Sequence, residues 1–276
     1  MNAVFSEIPM RTWRWLGVNE ARFPLGISET EPLRQEIVVA EGRQDEVVLA
    51  EREGGVHEIK VVLAKNAGLH LVQAQLTPVA DGYASRVVVQ AAEGAKFSYT
   101  GVLAGGAESV VDLEVKLSGD GSEADVWALY FGDAGRKLDL NYKIQQAGRN
   151  TRADMQVRGA LLGGADKIFR GTLDFLQGSQ GSVGRENEEV VLLSDDVRNR
   201  SVPLMLSHED DVDGHHAVSV GQMDEAKLFY LMSRGLDISE ARRLVVEAAF
   251  NPVLDRLGEA LRQEIMAYLQ GRLGHA

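Results

Sequence analysis

The chain of 276 residues contains no cysteine, and this removes several kinds of chemistry at once. Disulfide bonds, a thiolate nucleophile, and zinc or iron–sulfur sites built from cysteines of this chain are all excluded. A cluster that needs thiolate ligands would have to take them from another molecule. We expect no cofactor to be bound stably by this chain alone.

Basic residues and long hydrophobic runs are also scarce. The sequence has 29 Lys and Arg against 41 Asp and Glu, a formal net charge of -12. This surplus of acidic residues repels phosphate backbones, so we expect no nucleic-acid partner. No stretch is apolar and long enough to span a bilayer, and the N-terminus lacks the basic start and apolar core of a signal peptide. We expect a cytoplasmic protein without a membrane partner.

Common catalytic motifs are missing as well. The sequence contains no GxxxxGK[ST], no GxSxG and no HExxH, and no GxGxxG lies between a strand and a helix. ATP hydrolysis by a P-loop, dinucleotide binding of the usual kind, and the commonest serine and zinc hydrolase sites are therefore not predicted.

What the sequence does contain, from about residue 36 to residue 191, is a succession of short apolar runs. Runs such as DEVVLAE, HEIKVVLA and SRVVVQA alternate in part between apolar and polar residues and end at Gly, Asp or Asn. This pattern predicts an all-β body. A sandwich, a barrel and a β-solenoid all remain compatible with it.

The body is flanked by two segments of different character. Residues 1–35 form an arm with Trp13 and Trp15, which we expect to anchor it on the body. Residues 36–221 form the core, and residues 222–276 form a helical module with apolar positions spaced three or four apart. We expect Pro252 to end the second of three helices and to lie in the first turn of the third.

The segment HEDDVDGHH, residues 208–216, resembles a metal site in composition. As a calcium loop it fails, because Val220 stands where a bidentate glutamate is required. As a transition-metal site it is also incomplete, because His215 and His216 are neighbours and point to opposite faces of a strand. One histidine can face the core or a partner while the other faces solvent.

The C-terminal part of the sequence resembles the SufB/SufD family of iron–sulfur cluster assembly scaffolds. The resemblance rests on LLSDD, on Pro203 followed by alternating apolar residues, and on Asp210 to Val212. It continues through Val220-Gly221, the FYLMSRG block and the EARRL helix, and residues 147–175 are similar to late coils of the family. Within the family the chain is SufD-like, short and free of cysteine.

The resemblance implies a mainly β fold, namely a right-handed parallel β-helix with a small C-terminal α-helical module. It also implies a scaffold rather than an enzyme, with the helical module docking a SufC-type ABC ATPase. The implied second partner is a SufB-type subunit or a second copy of this chain. A transient iron–sulfur cluster would then form where the two β-helices meet.

The same resemblance assigns roles to individual residues. His216 takes the place of the family's interface histidine and is a candidate iron–sulfur ligand, whereas Gly214 stands where the family has a cysteine. Phe229, Tyr230 and Arg234 are the candidate interface residues of the helical module. Of these, Tyr230 and Arg234 are expected to be accessible, whereas Phe229 is expected to be mostly internal.

Two other functions remain open at this level. One is a β-solenoid hydrolase or lyase acting on sugars, with Asp195/Asp196 or Asp210/Asp211 as paired carboxylates. Adjacent residues on a strand diverge, which weighs against either pair. The other is a purely structural adaptor that makes no contact with a cluster.

Overall fold

The computed structural model describes residues 3–12, 14–223 and 225–273, so Trp13 lies outside the described residues. A short 3-10 helix, Arg14–Leu16, precedes the body. The strands are β1 (Val4–Glu7), β2 (Glu20–Arg22), β3 (Leu33–Val39), β4 (Gln44–Glu51), β5 (Gly55–Leu63), β6 (Gly68–Gln75), β7 (Gly82–Ala91), β8 (Lys96–Leu103), β9 (Glu108–Leu117), β10 (Glu123–Gly132), β11 (Lys137–Gln146), β12 (Arg152–Leu161), β13 (Asp166–Phe175), β14 (Ser182–Leu192), β15 (Arg198–Ser207) and β16 (Val212–Gln222). The helices are α1 (Glu225–Ser233), α2 (Ile238–Leu254) and α3 (Glu259–Leu273).

From β3 onward, consecutive strands alternate between two parallel sheets. The even-numbered strands β4 to β16 form one 7-stranded sheet, and the odd-numbered strands β3 to β15 form the other. Each pair of strands is one coil, and the coils stack into a parallel β-solenoid of about 6 turns. The prediction of a mainly β body with a helical tail is confirmed, and the parallel pairing decides for the solenoid among the three all-β alternatives.

In every coil except the last, one corner depends on a residue with positive φ. These residues are Gly42, Asn66, Gly94, Gly121, Asn150 and Gly181. Each of them donates its backbone N–H to a carbonyl oxygen of the following coil, at 2.7–3.0 Å. Glycine and asparagine adopt this left-handed conformation at little cost, which explains why these residue types end the apolar runs.

Helices α2 and α3 fold back onto the outer face of the even-numbered sheet. Phe250 and Val253 of α2 pack with Leu129 and Phe131 of β10 in one buried cluster. At the rim, Arg272 of α3 pairs with a carboxylate of the body. No described helix is long and apolar enough to cross a membrane.

The expectation for Pro252 was wrong. Helix α2 continues through Pro252 to Leu254, and α3 begins only at Glu259. Pro252 lacks one N–H, but Asp255 still donates its N–H to the carbonyl of Asn251, so the last turn is closed around it. A proline near the end of a helix removes only one internal bond, and the surrounding packing compensates for the loss.

The N-terminal arm lies on the outer face of the odd-numbered sheet. Strands β1 and β2 form an antiparallel pair, and Phe5 packs with Val56, Ala84 and other small residues of the sheet. The buried guanidinium of Arg170 holds the arm further by donating to backbone carbonyls of the arm, including that of Glu20 at 2.9 Å. Trp15, by contrast, is 79% exposed.

Two phenylalanines of the helical module provide a matched stability test. We expect Phe250→Ala to lower the free energy of unfolding by about 3–5 kcal/mol, because Phe250 is fully buried between α2 and the sheet. Phe229→Ala, at an exposed position of α1, should change it by less than about 0.5 kcal/mol. Urea unfolding followed by circular dichroism measures both, and equal effects would contradict the described packing.

Candidate partner interface and metal-binding edge

The last coil leaves two strand edges open. Strands β15 and β16 each pair on one side only, and no described strand continues either sheet. Strand β16 is exposed along most of its length, including Val218 and Val220. Unpaired N–H and C=O groups on an exposed edge are a template for pairing with a strand of another chain.

His216 lies in the middle of this edge strand. Alternate residues of a strand point to the same face, so His216 faces the same side as Val212. Val212 packs against the interior of the solenoid, and His216 therefore lies on the interior side of the sheet. His215 lies on the outer side, where its Nε2 is 2.9 Å from Oδ1 of Asp213. The two histidines therefore cannot bind one ion together.

The interior next to His216 is charged. Lys167 of β13 and Glu188 of β14 form a fully buried ion pair, with 2.6 Å between Nζ and Oε1. Tyr130 donates its hydroxyl to the same carboxylate oxygen at 2.8 Å, and Lys167 also donates to the hydroxyl of Ser201 at 3.0 Å. Burial lowers the pKa of Lys167, although the Glu188 carboxylate counteracts this.

Glu186 is a second buried carboxyl group in the same interior, and it lacks such a partner. It is 2% exposed, and neither of its carboxylate oxygens has a hydrogen-bond partner among the described residues. Burial, with a smaller contribution from the charge of Glu188, raises the pKa of Glu186 to about 8. Glu186 is the register partner of His216 on the neighbouring strand.

Gly214 lies two residues before His216, also on the interior side. A Cβ atom at this position would lie 2.6 Å from the sulfur atom of Met205 and 3.2 Å from the ring of Phe175. The space that a cysteine side chain would need is thus filled by the thioether of Met205.

Helix α1 carries the other candidate interface residues and follows directly after β16. Phe229 is 74% exposed and Tyr230 is 56% exposed, so the expectation that Phe229 is mostly internal was wrong. The helix is in contact with α2, and Phe229 stays outside this contact. The guanidinium of Arg234 lies 5.3 Å from the centre of the Tyr230 ring. Tyr230 and Arg234 thus form a stacked pair on the surface.

The candidate residues form two separate groups. His216 lies six strand residues before the end of β16, which is roughly 20 Å of extended chain. Tyr230 and Phe229 lie on the exposed surface of α1, and Arg234 follows directly after this helix. The last coil therefore presents an edge that carries a histidine, followed by a helix that carries aromatic side chains. Within the described ranges, no three His, Asp or Glu side chains form a ready-made metal site.

The paired carboxylates do not form an acid–base site. Asp195, Asp196, Asp210 and Asp211 are exposed residues around turns. A hydrogen bond from the hydroxyl of Ser194 lowers the pKa of Asp196, which is the opposite of what a general acid needs. The hydrolase alternative has no support in this geometry.

Sequence reasoning missed the buried charges, although a signal was present. In ENEEVV the alternation places Glu186 and Glu188 on the same face as Val190, which belongs to the core. Extending the parity of Val190 backwards would have placed both glutamates inside. Lys167 has the same parity as the core residue Phe169, so the same extension would have placed it inside. Its pairing with Glu188 has no local signal, because the two residues are 21 positions apart.

The raised pKa of Glu186 leads to a pH-dependent stability. Folding favours the protonated form of Glu186, so the free energy of unfolding is higher at low pH. This stabilisation is fully present below the ordinary pKa of 4.5 and is lost as the pH rises through about 8. We expect Glu186→Gln to raise the free energy of unfolding at pH 8 and to flatten its pH dependence. Urea unfolding across this pH range is the measurement, with exposed Glu189→Gln as the control. A Glu186→Gln profile identical to wild type would contradict the burial of an unpaired carboxyl group.

Comparison with known proteins identifies the same edge and helix as parts of a known domain. Residues 31–249 match the family model described as SUF system FeS cluster assembly, SufBD core domain. The Bacillus subtilis iron–sulfur cluster assembly protein SufD is 28% identical over 167 residues, covering 60% of this chain and 38% of that protein.

Two mycobacterial relatives extend the match. A SufBD family protein of Mycobacterium leprae is 29% identical over 181 residues, which is 62% of this chain and 46% of that protein. A SufBD family protein of Mycobacterium tuberculosis is 25% identical over 268 residues, which is 91% of this chain and 68% of that protein. The chain thus spans less than half of the first two relatives and about two thirds of the third. Because the family model covers most of the chain, from β3 into α2, this protein belongs to the SufBD family of iron–sulfur cluster assembly proteins.

Proposed function

We propose that this chain is a SufD-like scaffold subunit that pairs through its open coil with a second β-solenoid and docks a SufC-type ABC ATPase through α1. The observation that carries the proposal is the arrangement of the last coil. An exposed edge strand holding His216 continues directly into a helix that exposes Phe229 and Tyr230. The chain is not proposed to catalyse a reaction of its own, since it belongs to an assembly family.

The edge strand supports pairing between two solenoid bodies. Stacked coils satisfy each other's backbone groups, and only the terminal strands keep unpaired ones. A partner strand laid along β16 would cover these groups together with Val218 and Val220. His216, on the interior side of β16, would then lie beside the joint between the two bodies.

The partner that fits best is a SufB-type subunit with a cysteine. An iron–sulfur cluster is cargo here, and its iron atoms bind thiolate strongly. This chain supplies no thiolate, so it would contribute imidazole from His216 while the partner contributes sulfur ligands. A pair of identical chains would have only imidazole and carboxylate ligands for the same cluster.

Helix α1 is suited to hold the ATPase. An exposed aromatic pair beside a guanidinium has the composition of an interaction hot spot. Helices α2 and α3 are occupied with the sheet through Phe250 and its neighbours, so they form the rigid support and α1 forms the contact surface. A force generated by the ATPase would pass through the short connection from α1 to β16.

Docking through α1 is tested by replacing its exposed residues. We expect Tyr230→Ala and Phe229→Ala each to weaken binding of the SufC-type ATPase by about tenfold or more, because each removes an aromatic anchor. Val48→Ala, at an exposed apolar position near the other end of the solenoid, should leave binding unchanged. Calorimetric titration of the purified chain with the ATPase measures the affinities. Equal affinities for all variants would refute docking through α1.

The role of His216 is tested by cluster assembly with the SufB-type partner. We expect His216→Ala to reduce the amount of cluster formed by at least about fivefold, because one ligand at the joint is lost. His215→Ala, on the opposite face of the same strand, is the matched control and should assemble cluster normally. Absorption and circular dichroism of the reconstituted complex follow the cluster. Normal assembly by His216→Ala would instead support a structural adaptor without cluster contact.

A further inference from the structure

We propose that β3 is a self-pairing edge, which joins two copies of this chain as antiparallel strands around a two-fold axis at Gln35. Strand β3 ends the odd-numbered sheet and pairs only with β5 among the described strands. Its free side carries unpaired N–H and C=O groups, which can bond to a strand of another chain. This edge lies at the opposite end of the solenoid from β15 and β16, so the joint is additional to the proposed pairing at the last coil.

Most side chains of β3 are open to solvent. Val39 is buried in the core and Ile37 packs beside it, so the odd-numbered positions of this strand face the interior. Arg34 and Glu36 therefore lie on the outer face, and both are exposed. Leu33 lies on the interior side and is nevertheless 67% exposed, because no further coil covers it. The edge thus presents an apolar side chain on one face and two opposite charges on the other.

Rows of alternating charge run across the outer face of this sheet and reach the edge. In one row Arg34 pairs with Glu58, with 2.9 Å between Nε and Oε2, and the register continues to Arg86. In the next row Glu36 pairs with Lys60, with 2.8 Å between Oε1 and Nζ. One row therefore ends at the edge in a positive charge, and the other ends in a negative charge two residues further along the same face.

The two row ends match each other when β3 pairs with a second copy of itself. In an antiparallel pair centred on Gln35, Arg34 of each copy faces Glu36 of the other copy. Leu33 faces Ile37 in the same register, so apolar side chains also meet. Two-fold symmetry makes each of these contacts occur twice. Directly opposed residues of antiparallel strands have Cβ atoms about 4.5–5.5 Å apart, and opposite charges at this spacing stabilise the pair.

The other three strands that end the two sheets do not match themselves in this way. The charged residues of β4 are all acidic, and those of β15 are all basic. Neither strand can therefore set a positive charge against a negative one when it pairs with its own copy. Strand β16 carries an aspartate and two histidines but no lysine or arginine. Charge complementarity thus assigns a second copy of this chain to β3.

Charge reversal at the joint tests the self-pairing edge, with sedimentation velocity of the purified full chain as the measurement. We expect wild type to dimerise, and Arg34→Glu and Glu36→Arg each to weaken dimerisation at least about tenfold, because each sets like charges against each other at both pairs. An equimolar mixture of the two variants should recover the dimer, because the mixed pair again sets opposite charges against each other. Each variant also disturbs its ion pair with Glu58 or Lys60, but mixing does not repair that pair, so recovery reports the joint itself.

Lys96→Glu is the matched control for the loss of an exposed ion pair. Lys96 of β8 pairs with Glu123 of β10 within the stack of the other sheet, so this variant should dimerise as wild type. A wild type that stays monomeric would overturn the self-pairing edge. The same conclusion would follow if both reversal variants dimerised as wild type, or if their mixture dimerised no better than its components. ATPase docking and cluster assembly use α1 and β16, so those results leave the proposed function standing in either case.

Discussion

The backbone hydrogen-bond ladder between stacked coils is the interaction on which the whole molecule depends. Each strand of the two sheets satisfies its neighbours on both sides, except where the stack ends. A solenoid cannot close on itself as a barrel does, so its last strands keep donors and acceptors that only another chain or solvent can satisfy. The exposed edge of β16 is therefore a direct consequence of the architecture, and a surface for pairing is available without any special sequence.

The apolar outer faces of the two sheets are covered in part by other segments of the chain. The N-terminal hairpin covers part of one sheet through Phe5, and α2 and α3 cover the other through Phe250 and its neighbours. Helix α1 differs from α2 and α3, because its side chains Phe229 and Tyr230 are exposed to solvent. Helices α2 and α3 are packed on the sheet, whereas α1 presents a surface that a partner can contact.

The interior near the open end contains charged groups. A fully buried ion pair between Lys167 and Glu188 contributes little net stability, because desolvation of both charges opposes their attraction. It nevertheless keeps charged groups in a place where a leucine would pack more simply. Together with Glu186 and His216 they place ionisable side chains next to the edge proposed for pairing.

Alternation of apolar residues and the helical spacing of the tail determined from sequence alone that a β body precedes a helical module. The solenoid did not follow from periodicity, because its repeat is marked by single residues such as Asn66 and Gly94 at uneven spacing. The family resemblance implied the solenoid and the candidate role of His216. Tertiary structure alone decided that Phe229 is exposed, that α2 continues through Pro252, and that Glu186 lies beside His216. These properties depend on which distant strands and helices meet, and local pattern carries no information about contacts between residues so far apart in the chain.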